Sequence, residues 1–365
     1  MNIQKEFMTL KIQTKKRWAG GIVLPFIFLG VMTCGEKTMH VVDDEFQRPI
    51  KVEKSALANK QEAYVPFIFG MCADEISGRI FVASFIDNKI YVLDSSLTIV
   101  DSIGSTGQGV GDLLSPAFVT MHNGNLYVVE WGNNRISVFS REGRFVKTIT
   151  AVVNFRGTNI ALDSKNRIYF LSGAWSDSLV SVIDNDGNHI FSFGERGGSA
   201  GLTDWKSNVG MVVVDSSDNI FVAYSARYAV RKYSSNFNLE WETDYSEFPP
   251  FAQQLKKNSD IIKQGIVKSQ QIAYIANDFG FYGDKLYVQY IGGGLNGTGI
   301  YEIDSASGQL KRVFLLQHSE KDRSDYKILN FCFVENMKFA IGVRNKGEIL
   351  LGQLQDNVDM PATQR

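Results

Sequence analysis

The chain has 365 residues, and its 38 Lys and Arg nearly balance its 39 Asp and Glu, for a net charge of −1. That balance supplies no basic footprint for a nucleic acid partner, and three cysteines are too few for a disulfide framework. A content of 44% hydrophobic and 12% aromatic residues with 33 glycines suits an all-β chain with many turns.

In chain order, the first element is "KIQTKKRW", which is basic, followed by "AGGIVLPFIFLGVMT", an apolar run of about fifteen residues that is short for a membrane span. A basic stretch, a short apolar core and then Cys34 read as a secretory signal, with Met1 or Met8 as the start. The segment resembles a bacterial lipoprotein signal, which implies removal of residues 1–33, lipidation of Cys34 and a tether over 34–47. An uncleaved anchor, or an ordinary signal peptide with Cys34 incidental, is the competing reading. Next comes "RPIKVEK" (48–54), strand-like but without a partner nearby.

From there the chain repeats one unit. It is clearest in "PAFVTMH", "NLYVVEW", "RISVFS" and "RFVKTI" (116–149), four strand-like segments with period-two patterning and aromatic or β-branched residues. They are separated by "HNGN", "GNN" and "REG", whose Asn and Gly tolerate the positive φ a tight reversal needs. The unit is a four-stranded antiparallel meander, and its spacing of about 45 residues is the period of a propeller blade. Echoes follow at 79–103, 167–193, 219–243, 285–316 and 338–354, making six copies. The last copy lacks a fourth strand and the orphan 48–54 can supply it, which favours a closed ring over an open solenoid of hairpins. The predicted fold is therefore an all-β, six-bladed β-propeller of four-stranded antiparallel blades over 48–355, closed by an N-terminal strand. A short helical insert is predicted over 244–276, from Phe251, Leu255, Ile262 and Ile266 at helical spacing after two prolines, and 356–365 is a polar tail.

The stretch 104–149, with Gly104, Gly107, Gln108, Pro116, the "NGNLYVVE" run, Asn134-Arg135-Ile136 and Gly143, resembles the NHL repeat. The whole chain resembles the six-bladed propeller lipoproteins of Bacteroidetes. That resemblance implies the fold and a lipid-anchored address in the cell envelope, at the outer membrane and facing the periplasm or the surface. It implies little chemistry, because propellers host enzymes, receptors and scaffolds alike. In NHL-like blades the arginine at the position of Arg135 bridges neighbouring blades, with Glu130 as its expected partner here.

Motifs for catalysis are nearly absent: there is no HExxH, CxxC pair, GxSxG or GxxxxGK[ST]. "GSTGQG" (104–109) precedes a strand rather than a helix, so it is not a phosphate loop. "DNDGNHIFSFGE" (184–195) carries Asp184, Asp186, Asn188 and Glu195 at calcium-loop spacing, but His189 replaces the required glycine, so a blade turn is the preferred reading. Calcium is the one ion with even a partial ligand pattern; no catalytic or metal-binding residue is assigned and no cofactor is expected. His122 and His189 fall at turn edges and are expected to be exposed. Cys72 and Cys332 belong to first strands of blades that closure makes neighbours, and two buried thiols are favoured over a disulfide.

With strands lettered A to D from the channel outward, the A–B and C–D turns are short throughout. The B–C turns and the links between blades carry the long segments, which mark the working rim. Trp131, Trp175, Trp205, Tyr228 and Tyr290 are expected there as stacking residues, with Asn133 and Asp177 as polar partners. For any single aromatic, packing between blades is as good a reading. Two functions follow. The first is a binding module for a glycan, peptide or protein partner, monomeric and touching the membrane only through its lipid. The second is a metal-dependent lactonase- or lyase-like hydrolase working in the central channel. The channel candidates for that chemistry are Asn159, Asn208, Asn277, Asp278 and Asn330, at the starts of A strands.

Overall fold

The computed structural model describes residues 47–55, 64–151, 153–155, 157–173, 176–197, 208–225, 228–245, 276–290, 297–317, 329–335, 338–343 and 347–354, the first of these by backbone alone. All lie in the unit spanning residues 39–365. Among them there are twenty-four strands and no helix; the expected helix within 244–276 falls on residues outside the described set.

Strand β1 is Gln47–Ser55. Blade 1 is β2 (Ile68–Asp74), β3 (Arg79–Ser84), β4 (Lys89–Leu93) and β5 (Ile99–Ile103). Blade 2 is β6 (Pro116–His122), β7 (Asn125–Glu130), β8 (Arg135–Ser140) and β9 (Phe145–Ile149). Blade 3 is β10 (Ala161–Leu162), β11 (Ile168–Leu171), β12 (Ser178–Ile183) and β13 (His189–Glu195). Blade 4 is β14 (Gly210–Val214), β15 (Ile220–Tyr224), β16 (Ala229–Tyr233) and β17 (Leu239–Asp244). Blade 5 is β18 (Ala276–Tyr282), β19 (Lys285–Tyr290), β20 (Gly297–Asp304) and β21 (Leu310–Gln317). Blade 6 holds β22 (Leu329–Glu335), β23 (Lys338–Val343) and β24 (Glu348–Leu354). Consecutive strands of each blade pair antiparallel. The predicted six-bladed propeller is the fold.

Blade 2 shows how the sequence writes the local structure. Asn123 and Gly124 have φ of 47° and 74°, the double positive φ of a type I′ hairpin whose twist matches the strands it joins. Gly132 in the next turn is needed for space rather than for φ: a Cβ there would stand 2.4 Å from the Leu114 side chain. Alternate residues of β7 face opposite ways. Leu126 and Val128 join the core shared with blade 1, and Tyr127 and Val129 that shared with blade 3. Each inner strand is thus buried on both faces, so apolar residues run on without polar alternation, as in "RIFVAS". One hydrophobic cluster fills each of the six junctions between blades. Burying each large apolar side chain contributes about 1.5–3 kcal/mol, so the ring is held mainly by these wedges.

Closure occurs as expected from the orphan segment. β1 pairs antiparallel with β24, from Ile50 opposite Leu354 to Ser55 opposite Leu350, and becomes the outermost strand of blade 6. Its first residues do something the sequence does not announce: Gln47, Arg48 and Pro49 pair parallel with Val313, Phe314 and Leu315 of β21. Blades 5 and 6 are therefore one continuous eight-stranded sheet.

Candidate functional site

The short-turn rim is occupied with its own hydrogen bonding. Asp94, Asp163, Asp184 and Asp215 each accept two backbone N–H groups of their own turns at 2.8–3.0 Å. Asp184 also accepts from the Asn188 amide, so this carboxylate is committed to a blade turn, the reading preferred over a calcium loop. Other side chains tie adjacent blades together. Arg141 of blade 2 meets Asp74 of blade 1 at 2.6 Å, and Ser164 of blade 3 donates to Asp218 of blade 4 at 2.6 Å. His122 of blade 2 lies 3.1 Å from Asn166 of blade 3; it is half-buried rather than exposed, and burial holds its imidazole below the usual value. His189 is exposed.

On the opposite rim, the residues of the NHL-like stretch form a clamp. Glu130, fully buried at the end of β7, receives Arg135 Nε at 2.7 Å, Asn133 Nδ2 at 2.6 Å, Ser137 Oγ at 2.6 Å and the Leu114 N–H at 2.9 Å. Arg135 also donates to the carbonyls of Gln108, Gly109 and Asp112. Glu130 is the partner expected for Arg135, and the pair pins the linker between blades 1 and 2 to blade 2; the contacts of Arg135 go to its own blade and this linker rather than to a strand of a neighbouring blade. Asn133, expected to be a polar ligand contact, is instead spent on Glu130 and the Gly107 carbonyl.

The predicted aromatics divide. Tyr228 and Tyr290 are fully buried, 5.2 Å apart edge to face in the core between blades 4 and 5, where burial pushes both phenols up. They offer no exposed ring to a ligand, which corrects their placement as rim stacking residues. Tyr290 ends the B strand of blade 5 and Tyr228 immediately precedes the C strand of blade 4, and both still face the wedge between sheets, where packing takes the ring. Trp175 and Trp205 lie outside the described residues, and Asp177 is exposed beside β12. Trp131 is half-buried within a cluster that sequence reasoning missed. Its ring lies 4.6 Å from Phe69, 5.8 Å from Phe85 and 6.2 Å from Phe118, and Phe67 joins through Phe85 at 6.1 Å. All five rings sit at loop-rim ends of blades 1 and 2 and all keep partial exposure, beside the exposed Ile86. "PFIF" and "SFID" at equivalent strand ends next to "EWGNN" were the available signal.

At the centre, residues of all six innermost segments enclose a cavity of about 330 Å³. Three of the five channel candidates reach it: Asn159, Asp278 and Asn330. Asn159 bridges blades by donating to the Val212 carbonyl and accepting its N–H, at 2.7 and 2.9 Å. Asp278 accepts the Phe331 N–H across the blade 5–6 seam at 2.7 Å. Asn208 instead pairs with Gly197 in the linker before β14, and the Asn277 side chain lies outside the described set. Cys72 and Cys332 both line the cavity as free thiols, and burial pushes both thiol pKa values up. Among the described residues no three His, Cys, Asp or Glu side chains are grouped to hold a metal.

The fold has wide company. A streptogramin B lyase superposes with a TM-score of 0.51 at 13% identity, covering 81% of this chain and 97% of its own. A Bacteroides fragilis protein named as a candidate for export superposes with 0.52 at 12% identity, covering 85% and 99%. A Bacteroides thetaiotaomicron protein of unknown function gives 0.51 at 10% identity, covering 80% and 70%. At these identities the likeness speaks for the fold alone. No curated protein matches the sequence. The model of the 6-bladed beta-propeller family matches residues 72–341, about three quarters of the chain, and with the six blades and their closure described, this protein belongs to that family.

Proposed function

We propose that the protein is an exported, lipid-anchored binding module that captures a glycan, peptide or protein partner on its loop-bearing rim. The observation that carries this reading is the half-buried cluster of Phe67, Phe69, Phe85, Phe118 and Trp131 beside exposed Ile86. Aromatic rings with one covered and one open side are the usual anchors of recognition surfaces. The opposite rim has its turn carboxylates and cross-blade polar groups engaged internally, which leaves less there to offer a partner. Export and the anchor rest on the basic and apolar N-terminal segment ending at Cys34 and, as a supporting likeness, on the named export candidate.

The test is partner capture by the full chain. Trp131→Ala, Phe85→Ala and Ile86→Asp weaken capture by about 1 kcal/mol or more each, while Glu142→Ala and Arg144→Ala on the opposite rim leave it unchanged. Loss of capture that follows the short-turn rim sinks the assignment. For the anchor, Cys34→Ser releases the protein from membranes or blocks its maturation; normal processing with full membrane retention refutes it. A second reading, a metal-dependent lactonase- or lyase-like hydrolase in the channel, draws on the carboxylates Glu75 and Asp278 at the cavity and on the lyase among the fold's relatives. Metal analysis of the purified protein separates the two, since stoichiometric calcium or zinc favours the hydrolase.

A further inference from the structure

We propose that the short-turn rim is the face this protein turns toward the lipid bilayer, so that the aromatic cluster on the opposite rim opens away from the membrane and meets partners arriving from the aqueous phase. The inference rests on the anchor proposed at Cys34 and adds a direction to it.

The direction comes from β1. Its Ile50 stands opposite Leu354, the last residue of β24, and its Ser55 opposite Leu350. β24 is a C strand and ends on the short-turn rim, so β1, antiparallel to it, runs from the short-turn side toward the loop-bearing rim. The parallel register with β21 agrees. Gln47, Arg48 and Pro49 follow Val313, Phe314 and Leu315, in a strand that leaves the C–D turn of blade 5 for the loop-bearing rim. Two pairings therefore aim the entering chain the same way. They also hold it there, because moving the entry point to the other rim means stripping β1 from both neighbours and opening the ring.

The anchor is close to that entry point. Twelve residues, 35–46, separate Cys34 from Gln47, and at full stretch such a length spans about 40 Å. The nine residues of β1 cover roughly 30 Å between the rims. With the short-turn rim toward the bilayer the tether need not be stretched at all. Turning the loop-bearing rim to the lipid consumes most of its reach, and the conformational freedom that goes with it. The competing reading of the N-terminal segment, an uncleaved apolar anchor ending at residue 33, puts the membrane at nearly the same distance and gives the same direction.

The two rims offer a matched pair of probe positions. Ile76, in the A–B turn of blade 1, is 80% exposed, and Val110, in the linker between blades 1 and 2 on the opposite rim, is 83% exposed. The experiment attaches a thiol-reactive fluorophore to Ile76→Cys and to Val110→Cys in the membrane-bound full chain, reconstituted in phosphatidylcholine vesicles with a quencher on the lipid headgroup. Cys72 and Cys332 do not compete for the dye, since burial raises both thiols and leaves little reactive thiolate. The Ile76 label is quenched several-fold more strongly than the Val110 label. Inserting a Gly/Ser linker of about 30 residues between residues 40 and 41, whose relaxed span matches the length of β1, brings the two toward equality. Equal quenching at the native tether length, stronger quenching at Val110, or a difference that survives the long linker overturns the proposal. A chain free of membranes overturns it together with the anchor. Dye uptake by Cys34 in a membrane-bound wild type defeats the lipid reading alone, and the two labels then still decide the direction.

Discussion

Replacing Arg135 by alanine tests how the ring holds its linkers. Glu130 is fully buried and the Arg135 side chain is 11% exposed, so this pair is not a surface ion pair screened by water. Removing the guanidinium leaves a buried carboxylate with its Asn133, Ser137 and Leu114 donors but no countercharge, and strips three carbonyls of the 104–115 linker of their donor. Breaking a buried pair from one side costs about 3–5 kcal/mol. At about 2 °C per kcal/mol for a domain of this size, the melting temperature falls by roughly 6–10 °C. The assay is thermal or urea unfolding of wild type, Arg135→Ala, Glu130→Gln and the double variant. The double variant recovers part of the loss, because the uncompensated charge goes with its partner. Hydrogen exchange rises first at 104–115. A cost of Arg135→Ala below about 1 kcal/mol, the scale of a solvent-exposed pair, refutes the reasoning.

Deleting 47–55 removes the strand that β21 and β24 share and opens two sheet edges; unfolding loses cooperativity or the protein aggregates, whereas deleting 35–45 does neither. An unchanged melting transition after the first deletion counts against closure by β1. Tyr290→Ala creates a cavity in the blade 4–5 wedge and costs about 3–5 kcal/mol, seen in chemical unfolding; a near-neutral result would return Tyr290 to the surface. Burial alone would raise the Asp74 carboxyl, but hydrogen bonds from Ser77 and the Arg141 guanidinium hold it below its ordinary 3.8. A carboxyl lowered on folding stabilises the fold above its unfolded pKa and loses that contribution as pH falls from about 4 through the folded value. Asp74→Asn therefore lowers stability at neutral pH and flattens the acid limb below pH 4, measured as unfolding free energy against pH; an acid limb as steep as wild type contradicts the pairing.

The strands were legible because their turns are. Asn123-Gly124, the "REG" at Gly143 and the Asp-x-x-x-Asn turns at 184–188 and 215–219 are local chemistry, and blade boundaries follow from them. Ring closure was legible by elimination, since "RPIKVEK" had nowhere else to pair. The parallel contact of β1 with β21 was not: three residues of parallel pairing leave no local mark. Site residues were harder for a physical reason. In most soluble sheets, period two separates inside from outside. Here both faces of an inner strand are inside, so Tyr228, Tyr290 and Trp131 look alike in sequence, although two are core and one reaches the surface. Phe67, Phe69, Phe85 and Phe118 come together only when blades 1 and 2 are set side by side. Arg135 and Glu130 were found because motif spacing, not hydrophobicity, carried them.

The shared strand at the start of the propeller also sets a timetable. Leu354 follows its partner Ile50 by about 300 residues, and Val313 follows Gln47 by well over 250. At about 5–20 residues per second of synthesis, β1 exists for roughly 15–60 s before both of its partners have been made. Through that interval it is an unpaired strand, and blades 5 and 6 lack the edge it will cover. A nascent chain that lacks β24 cannot shut the ring, however many blades it has already built. Closure waits for β24 and is an event of very high contact order, and the unfinished ring is the species on which a folding helper, or an aggregation partner, would act.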